Sequence, residues 1–169
     1  MIPDILHYKG RFSVPDWPNV QTLGLMSLVK YRKFIAGKLD TTLLKSKLVA
    51  IADSLESYKS SSAFRVSMGQ DSHDFSWGSN AVAANQSFVL LEAYKATGNM
   101  KYFTASFANL DYLLGRNALD YCFITGEGSR SPMFIHHRLS ECDNNVLPVP
   151  GLLDGGPQPG REDACFYPL

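Results

Sequence analysis

Two adjacent histidines and an arginine, His136, His137 and Arg138, bring the most chemically versatile side chains of the sequence together. In an extended segment neighbouring side chains point to opposite sides, so His136 and Arg138 would share one face and His137 the other. An imidazole and a guanidinium on one face can donate several hydrogen bonds to hydroxyl groups or to a carboxylate. In the alternative interpretation, Arg138 pairs with Glu141 or Asp143 and the histidines are ordinary surface residues.

A metal site around these histidines is not expected. Their imidazoles, with Cys142 and Asp143, supply donor atoms, but the spacing matches no recognised zinc or other metal site. The cysteines form no CxxC pair, and they do not fix the redox compartment. The glycines at 151, 155, 156 and 160 follow no predicted strand, so neither a phosphate loop nor a cofactor site is expected.

Trp77 lies in the segment FSWGSN, directly before the most apolar stretch of the chain. A flat indole beside a cleft can stack on the apolar face of a pyranose ring, so Trp77 is a candidate sugar-binding residue. In the alternative interpretation it fills the core or packs as a hydrophobic staple at the start of a helix. Carboxylates are plentiful after residue 110, but no pair has a distinctive spacing that would identify the acid and base of a hydrolase.

Four helices are predicted to position these residues, over about 18–36, 41–59, 80–97 and 100–114. In the second, apolar residues recur every three or four positions, and Asp40 is a suitable N-cap. Ser79 is the expected N-cap of the third, whose apolar residues leave little polar face and predict burial on most sides. Residues 60–78 and 116–169 show no helical period and are predicted to be loops built over this scaffold.

The composition indicates one packed all-α domain and excludes several classes of function. With 45% hydrophobic and 19% charged residues, the chain can build a core and is neither disordered nor fibrous. Sixteen basic residues balance sixteen acidic ones, which argues against a nucleic-acid partner because phosphate binding needs a basic face. No apolar run approaches the roughly 20 residues that span a bilayer, so no membrane partner is expected. A neutral polar ligand such as a sugar is compatible with this composition.

Four ordered stretches resemble the catalytic domain of glycoside hydrolase family nine, which contains endoglucanases and related cellulases: WGSNAVAANQSFVLLEAY, LDYLLGRNALDY, FITGEGSRSPMFIHHR and PVPGLLDGGPQPG. The likeness runs from about Phe75 to Gly160 and extends more weakly over residues 18–60, mainly through VQTLGLMSL. The spacing of glycine, arginine, isoleucine, histidine and arginine within GEGSRSPMFIHHR looks like the family's histidine signature. Cys122 departs from the family, which usually has Ser, Thr or Val there.

The resemblance implies an (α/α)6 barrel, which is a ring of six helical hairpins with an open cleft at one end. The family cleaves β-1,4-glucan with inversion, using an Asp as the base on a water and a Glu as the acid on the leaving oxygen. Carried over by position, His136 is a catalytic-site residue, and His136 and Arg138 hydrogen-bond the substrate near the scissile bond. Trp77 becomes a sugar-stacking residue, and β-glucan is the expected partner.

The resemblance also implies that residues 1–169 are the C-terminal part of such a domain. About four of twelve helices would be present, as a partial barrel with long loops over one end. The family's base lies in a DAGD-like motif, which does not occur in this sequence, and its acid is expected just beyond the final FYPL. We therefore expect the chain to supply cleft residues but to hydrolyse little alone. Apolar faces left open in such a ring predict self-association or packing against the missing part of the barrel.

Export to the medium, the periplasm or the cell surface is expected because polymeric glucan lies outside the membrane, although the first ten residues contain no hydrophobic signal core. Two other functions stay open. In the first, the chain is a non-catalytic helical carbohydrate-binding or interaction module, and His136, Arg138 and Trp77 serve binding alone. In the second, it is a purely structural helical domain, and replacing His136 and Arg138 leaves the activity of the full-length protein unchanged.

Overall fold

The computed structural model describes residues 8, 12–70, 72–142 and 144–158. Within them lie six α-helices and one 3₁₀ helix: α1 (Gln21–Lys30), α2 (Arg32–Ile35), α3 (Thr41–Tyr58), the 3₁₀ helix (Ser72–Phe75), α4 (Ser79–Thr97), α5 (Met100–Leu113) and α6 (Arg138–Cys142). These described residues contain isolated β-bridges but no strand, so the predicted all-α fold class is confirmed. None of the helices in this part of the chain is long and apolar enough to cross a membrane.

The first predicted helix, about 18–36, is in fact two helices separated at Tyr31. Its expected start forms a turn instead, in which the Asn19 N–H donates to Asp16 Oδ1 at 2.7 Å and the Asp16 N–H donates to the Asn19 carbonyl at 3.0 Å. At Tyr31 the backbone leaves the helical region with ψ +19°, and its N–H donates to the Ser27 carbonyl at 3.0 Å. The spacing of apolar residues does not predict the turn at Asp16–Asn19 or the break at Tyr31, because both are formed by backbone groups and by one short polar side chain.

The other three predicted helices, α3, α4 and α5, are present within one residue of their expected bounds. Asp40 is the N-cap of α3 as predicted, since its carboxylate accepts from the Leu43 N–H at 2.9 Å. The prediction that Ser79 caps α4 is wrong. Gly78 is the N-cap, with φ +81°, and Ser79 is the first helical residue, whose hydroxyl donates to the Pro157 carbonyl at 2.7 Å. A turn with positive φ favours glycine, which places the cap one residue earlier.

Helix α4 lies at the centre of the described fold, in contact with α1, α3 and α5. The prediction that it is buried on most sides is confirmed, because its exposed residues, Ala81, Phe88 and Lys95, follow one narrow line along the helix and buried residues cover the other faces. Val89 and Leu90 pack with Leu25, Leu44 and Leu48 in the larger apolar cluster. Burial of each such side chain contributes about 1.5–3 kcal/mol to the stability of the fold. Helix α4 is therefore firmly packed and can serve as the scaffold for the loops.

A second apolar cluster fastens the loops to this scaffold. Val66 and Met68 of the loop before the 3₁₀ helix pack with Ala83 of α4, Tyr112 of α5 and Phe123 of the segment after α5. The ring centroids of Tyr112 and Phe123 lie 5.7 Å apart, within the range of favourable aromatic pairs. Both long loops are therefore attached to the α4–α5 pair through buried side chains.

After α5, hydrogen bonds join two segments of the chain at Thr125, which is fully buried. Its N–H donates to the Leu152 carbonyl at 2.9 Å, and its carbonyl accepts from the Gly151 N–H at 2.8 Å. Its hydroxyl donates to the Val149 carbonyl at 2.6 Å and accepts from the Leu152 N–H at 2.9 Å. Thr125 thus joins the two ends of segment 126–148, and near its start this segment is also attached through the Arg130 carbonyl, which accepts from the Cys122 N–H at 2.9 Å.

Candidate functional site

A cavity of about 800 Å³ opens between residues 12–18, the C-terminal half of α3, residues 70–78 and the start of α4. This volume falls within the roughly 300–1,000 Å³ of typical ligand pockets. Three aromatic side chains of its lining are exposed, Trp17 at 97%, Trp77 at 69% and Tyr58 at 39%. Exposed rings of this size on a concave surface are suited to stacking on the apolar face of a ligand.

Polar side chains line the same cavity and supply hydrogen-bonding groups. Asn85 Nδ2 donates to the Pro15 carbonyl at 2.9 Å and ties the segment that carries Trp17 to α4. Deeper in the wall, Gln86 Nε2 donates to Asp74 Oδ1 at 3.1 Å, and both residues are almost fully buried. The cavity thus combines apolar ring faces with a few oriented polar groups, as small-molecule sites usually do.

Trp77 is presented by the turn between the 3₁₀ helix and α4. An exposure of 69% excludes the alternative in which its indole fills the core. Asp74, three residues earlier, accepts through Oδ2 from the N–H groups of Gly69 at 2.9 Å and Gln70 at 2.7 Å. Gly78 follows with φ +81°, a backbone conformation in which a side chain is strained. The indole is therefore held at the rim by anchored residues on both sides.

The residues that follow Trp77 pack against the later DGGP segment. The Asn80 N–H donates to the Gly155 carbonyl at 3.1 Å, and Asn80 Nδ2 donates to the Asp154 carbonyl at 3.0 Å. Gly156 has φ +90° and lies so close that a Cβ atom there would be 2.5 Å from Asn80 Cγ. The segments WGSN and DGGP, which carry the resemblance from two distant parts of the sequence, are therefore joined in space.

His136 and Arg138 are both exposed on segment 126–148. The His136 side chain is 95% exposed, and its Nδ1 lies 3.5 Å from Glu141 Oε1. The prediction of an extended segment is wrong already at His136, where the His137 N–H donates to the Ile135 carbonyl at 2.8 Å, and Arg138 is the first residue of α6. The Glu141 N–H donates to the His137 carbonyl at 3.1 Å, and this closed turn replaces the expected extended backbone.

His137, in contrast to its neighbours, is half-buried. Its Nδ1 lies 2.9 Å from Ser140 Oγ, and the same hydroxyl accepts from the Val149 N–H at 3.3 Å. His137 therefore helps to fold the loop, while the side chains before and after it are accessible. Asp143, one of the two partners considered for Arg138, lies outside the described residues.

The structure does not place the histidine–arginine pair and Trp77 on one cavity. The cavity is lined by residues within 12–18, 51–58, 70–78 and 81–86, and none of these described lining residues is His136 or Arg138. Of the three site residues predicted from the sequence, only Trp77 thus lies beside the cavity. The other two lie on an exposed loop of their own.

Sequence spacing does not identify Trp17, Tyr58 or Gln86 as cavity residues. Trp17 stands in PDWPN, which predicts only an irregular lead-in, although a turn-rich segment is too short to bury an indole by itself. Tyr58 continues the apolar stripe of α3, and Gln86 lies within the most apolar helix. Their meeting depends on how α3 packs against α4, which is a tertiary property.

Among the described residues, the pKa shifts concern groups outside this cavity. The pKa of Asp53 is lowered chiefly by the hydrogen bond from Lys101 Nζ at 2.6 Å, and the Tyr102 hydroxyl donates to the same oxygen at 2.7 Å. The pKa of Tyr121 is raised by burial first and then by the Asp154 carboxylate. Within the described part of the chain, no three His, Cys, Asp or Glu side chains are grouped so that they could hold a metal ion.

Comparison with solved structures defines the class of fold. The chain superposes on part of the (α/α)6 barrel of family 9 glycoside hydrolases. The Bacteroides ovatus GH9 structure matches with a TM-score of 0.77 and 36% identity over 88% of this chain and 28% of that one. A metagenome-derived glycoside hydrolase family 9 endoglucanase matches with a TM-score of 0.78 and 30% identity over 93% and 28%. The prediction of a partial (α/α)6 barrel is therefore confirmed.

The chain belongs to glycosyl hydrolase family 9, whose family model matches residues 5–167. The xyloglucan-specific endo-β-1,4-glucanase of Bacteroides ovatus is 38% identical over 160 residues, covering 93% of this chain and 27% of that protein. The cellodextrinase of Butyrivibrio fibrisolvens is 34% identical over 157 residues, covering 92% and 28%. The chain thus spans only 27–28% of the length of these relatives.

Proposed function

We propose that this chain supplies part of the substrate cleft of an inverting glycoside hydrolase that cleaves β-1,4-glucan. The observation that carries the proposal is the pair of exposed indoles, Trp17 and Trp77, on one cavity of a family 9 chain. The relatives include a xyloglucan-specific endo-β-1,4-glucanase and a cellodextrinase, which favour β-1,4-linked glucose polymers as the substrate class.

The lining of the cavity suits a sugar chain. Pyranose rings present apolar faces that stack on indole and phenol rings, and Trp17, Trp77 and Tyr58 offer such rings. Removing apolar surface from water contributes about 25 cal/mol per Å², so two stacked sugar rings give useful binding energy without any ion pair. Asn85 and Gln70, also in the lining, can hydrogen-bond the ring hydroxyls.

In this proposal His136 and Arg138 hydrogen-bond the glucan near the scissile bond, and His136 belongs to the catalytic site. Both side chains are exposed, so their donors can reach a polymer. Because they do not line the cavity beside Trp77, we assign them to a neighbouring stretch of the glucan path. Their role is to orient the substrate rather than to transfer its protons.

The general acid and base of the reaction are proposed to lie outside these 169 residues. The sequence contains no DAGD-like motif, and the carboxylates of an inverting enzyme stand roughly 6.5–9.5 Å apart to admit a water. Residues 1–169 would then act as the C-terminal part of a catalytic domain. Because polymeric glucan lies outside the membrane, we propose that the full-length enzyme acts in the medium, in the periplasm or at the cell surface.

The apolar side chains exposed on the helices are proposed to be covered by the rest of the barrel or, in the isolated chain, by self-association. Phe34 of α2 and Phe107 of α5 are 81% and 46% exposed. Exposed apolar patches of more than a few hundred Å² promote association. We expect the isolated chain to elute from gel filtration above its monomer mass, and a clean monomer across the micromolar range would contradict this.

Titration calorimetry with cellohexaose tests the cleft. Stacked aromatic contacts contribute about 0.5–1.5 kcal/mol beyond area burial, so Trp17→Ala and Trp77→Ala should each weaken binding about two- to tenfold. Phe34→Ala is the matched control, because Phe34 of α2 is 81% exposed and does not belong to the described cavity lining. Absence of binding by the wild-type protein, or equal losses in all three variants, would refute the proposal.

Release of reducing sugar separates catalysis from binding. The full-length protein should hydrolyse soluble β-glucan and xyloglucan, and the 169-residue chain should bind glucan with little release. Binding without hydrolysis by the full-length protein would instead favour the non-catalytic carbohydrate-binding module. Strong hydrolysis by the 169-residue chain alone would overturn the assignment of the acid and base to other parts of the domain.

A further inference from the structure

We infer that a buried polar relay of Asn109, Gln86 and Asp74 sets the position of Trp77, and that its three members are positioning residues for glucan binding. The inference rests on the proposed function, because it takes Trp77 as a sugar-stacking residue. Its basis is a set of hydrogen bonds that connect α5, α4 and the turn before Trp77 through the protein interior.

The relay starts at the backbone of the loop and returns to it. Asn109 Oδ1 accepts from the Ser67 N–H at 2.9 Å, and Asn109 Nδ2 donates to Gln86 Oε1 at 3.2 Å. Gln86 Nε2 then donates to Asp74 Oδ1 at 3.1 Å. Asn109 and Gln86 are 0% and 1% exposed, and Asp74, three residues before Trp77, is 9% exposed.

Backbone groups at both ends fix the direction of every donor in the relay. The Ser67 N–H can only donate, so the amide of Asn109 must turn its oxygen toward it and its nitrogen toward Gln86. Gln86 must therefore present its own nitrogen to Asp74. At the far end two further N–H groups of the loop donate to Asp74, and an ionised carboxylate is the one acceptor-only side chain that accepts from all of them.

A relay with a single allowed orientation specifies a single position for the turn. Buried polar groups are stabilising only when all of them are satisfied, so a shift of the turn would leave several groups unpaired at once. Packing alone does not require polar side chains here, since apolar residues of the same shape serve at such buried positions. What the polar residues add is a defined place for Asp74 and hence for the indole one turn later.

Ser87 offers a matched control on the same pair of helices. Its hydroxyl donates to the Ser106 carbonyl at 2.9 Å, and the Ser106 hydroxyl donates to the Ser87 carbonyl at 3.0 Å. These bonds link α4 to α5, as the Gln86–Asn109 bond does, but they run between the helices alone. Ser87→Ala therefore weakens the helix pair without releasing the Trp77 turn.

The test compares Gln86→Leu, Asp74→Asn and Ser87→Ala in the full-length protein. For each variant the Kd for cellohexaose, KM and kcat on a soluble β-glucan and the melting temperature are measured. The two relay variants should raise Kd and KM about two- to tenfold, no more than Trp77→Ala does, and change kcat less. Ser87→Ala should lower the melting temperature and leave Kd unchanged.

A double-mutant cycle with Trp77→Ala separates positioning from a general loss of stability. If the relay acts through the indole, Gln86→Leu should not weaken binding further once Trp77 is removed. Additive losses in the cycle would overturn the inference, and so would relay variants that bind as the wild-type protein does. Should Gln86→Leu fail to fold, the nearly isosteric Asp74→Asn decides the outcome by the same measurements.

Failure of this inference is distinguishable from failure of the proposed function. A wild-type protein that binds no cellohexaose refutes both. A wild-type protein that binds cellohexaose, is weakened by Trp77→Ala and is unaffected by the relay variants refutes the relay alone.

Discussion

The Thr125 hydroxyl donates to the Val149 carbonyl at 2.6 Å, across 24 residues of chain. The same oxygen accepts from the Leu152 N–H at 2.9 Å, so one side chain holds both sides of the returning segment. The loop between these positions carries His136 and Arg138. The position of these two side chains therefore depends in part on a buried threonine at the base of their loop.

Thr125→Val conserves volume but removes both of these hydrogen bonds. Because buried partners are left unsatisfied, we expect a loss of about 1–3 kcal/mol in the free energy of unfolding. Urea denaturation measures this loss, and Thr104→Val on the exposed side of α5 is the control. Equal stability of the two variants would show that Thr125 does not hold the loop.

Gly156→Ala should disturb the junction between the DGGP segment and the start of α4. Gly156 has φ +90°, and a Cβ there would lie 2.5–2.6 Å from side-chain atoms of Asn80 and Ser79. We expect destabilisation by more than about 1 kcal/mol, because alanine resists positive φ and also clashes. Gly155→Ala is the matched control, since a Cβ at Gly155 meets nothing within 4 Å. Melting temperatures of the two variants should therefore differ clearly, and similar values would contradict the close packing.

His136→Ala and Arg138→Lys should lower kcat/KM of the full-length protein without lowering its melting temperature. Both side chains are exposed, so little folding energy is lost, whereas a hydrogen bond involving a charged group contributes about 1.5–3 kcal/mol. We expect a decrease of about ten- to hundredfold, and lysine does not replace the planar donors of arginine. Leu139→Ala, which alters a 72% exposed neighbour, is the control. Unchanged activity in both site variants would favour the purely structural domain.

The contact of Asp53 with Lys101 should give the protein part of its stability toward acid. The hydrogen bond from Lys101 lowers the pKa of Asp53 in the folded state. The stabilisation is therefore present above the unfolded pKa, about 3.9, and it is lost as the pH falls through the folded pKa. Both side chains are partly exposed, so the effect is modest.

Melting temperatures at about pH 7 and about pH 3 test this contact. Asp53→Asn should lower the melting temperature at neutral pH and should lose less on acidification than the wild-type protein. Asp111→Asn is the control, because that carboxylate is 55% exposed and lies 3.6 Å from Arg116. An identical acid response of wild type and Asp53→Asn would exclude a role for the contact.

Local spacing predicts α3, α4 and α5 well because a helix is a short-range structure. The apolar residues of each helix recur at three- and four-residue steps, and Asp40 offers the first turn of α3 an acceptor only three residues away. Residue spacing does not predict details that the local backbone decides. The backbone of Tyr31 interrupts the first predicted helix, Gly78 and not Ser79 is the N-cap of α4, and Arg138 begins a helix in a predicted loop.

The cavity could not be predicted because its walls come from distant parts of the chain. Asn85 and Pro15 lie 70 residues apart in sequence, yet their hydrogen bond brings the Trp17 segment against α4. Gln86 looks like a polar interruption in an apolar helix until Asn109 and Asp74 are seen on either side of it. Trp77 was identified in advance from the chemistry of its indole and from the family resemblance, and neither gave the geometry of the cavity.

The hydrogen bond between Asn80 and Asp154 joins positions 74 residues apart, whereas α4 and α5 are separated only by Gly98 and Asn99. Contacts that are close in sequence form fast, and closing a long loop carries an entropic cost. The α4–α5 hairpin should therefore assemble early, with the Trp77 rim left unfinished. During synthesis, the ribosome would have to release the chain beyond Pro157 before the start of α4 and the neighbouring Trp77 turn could reach their final packing.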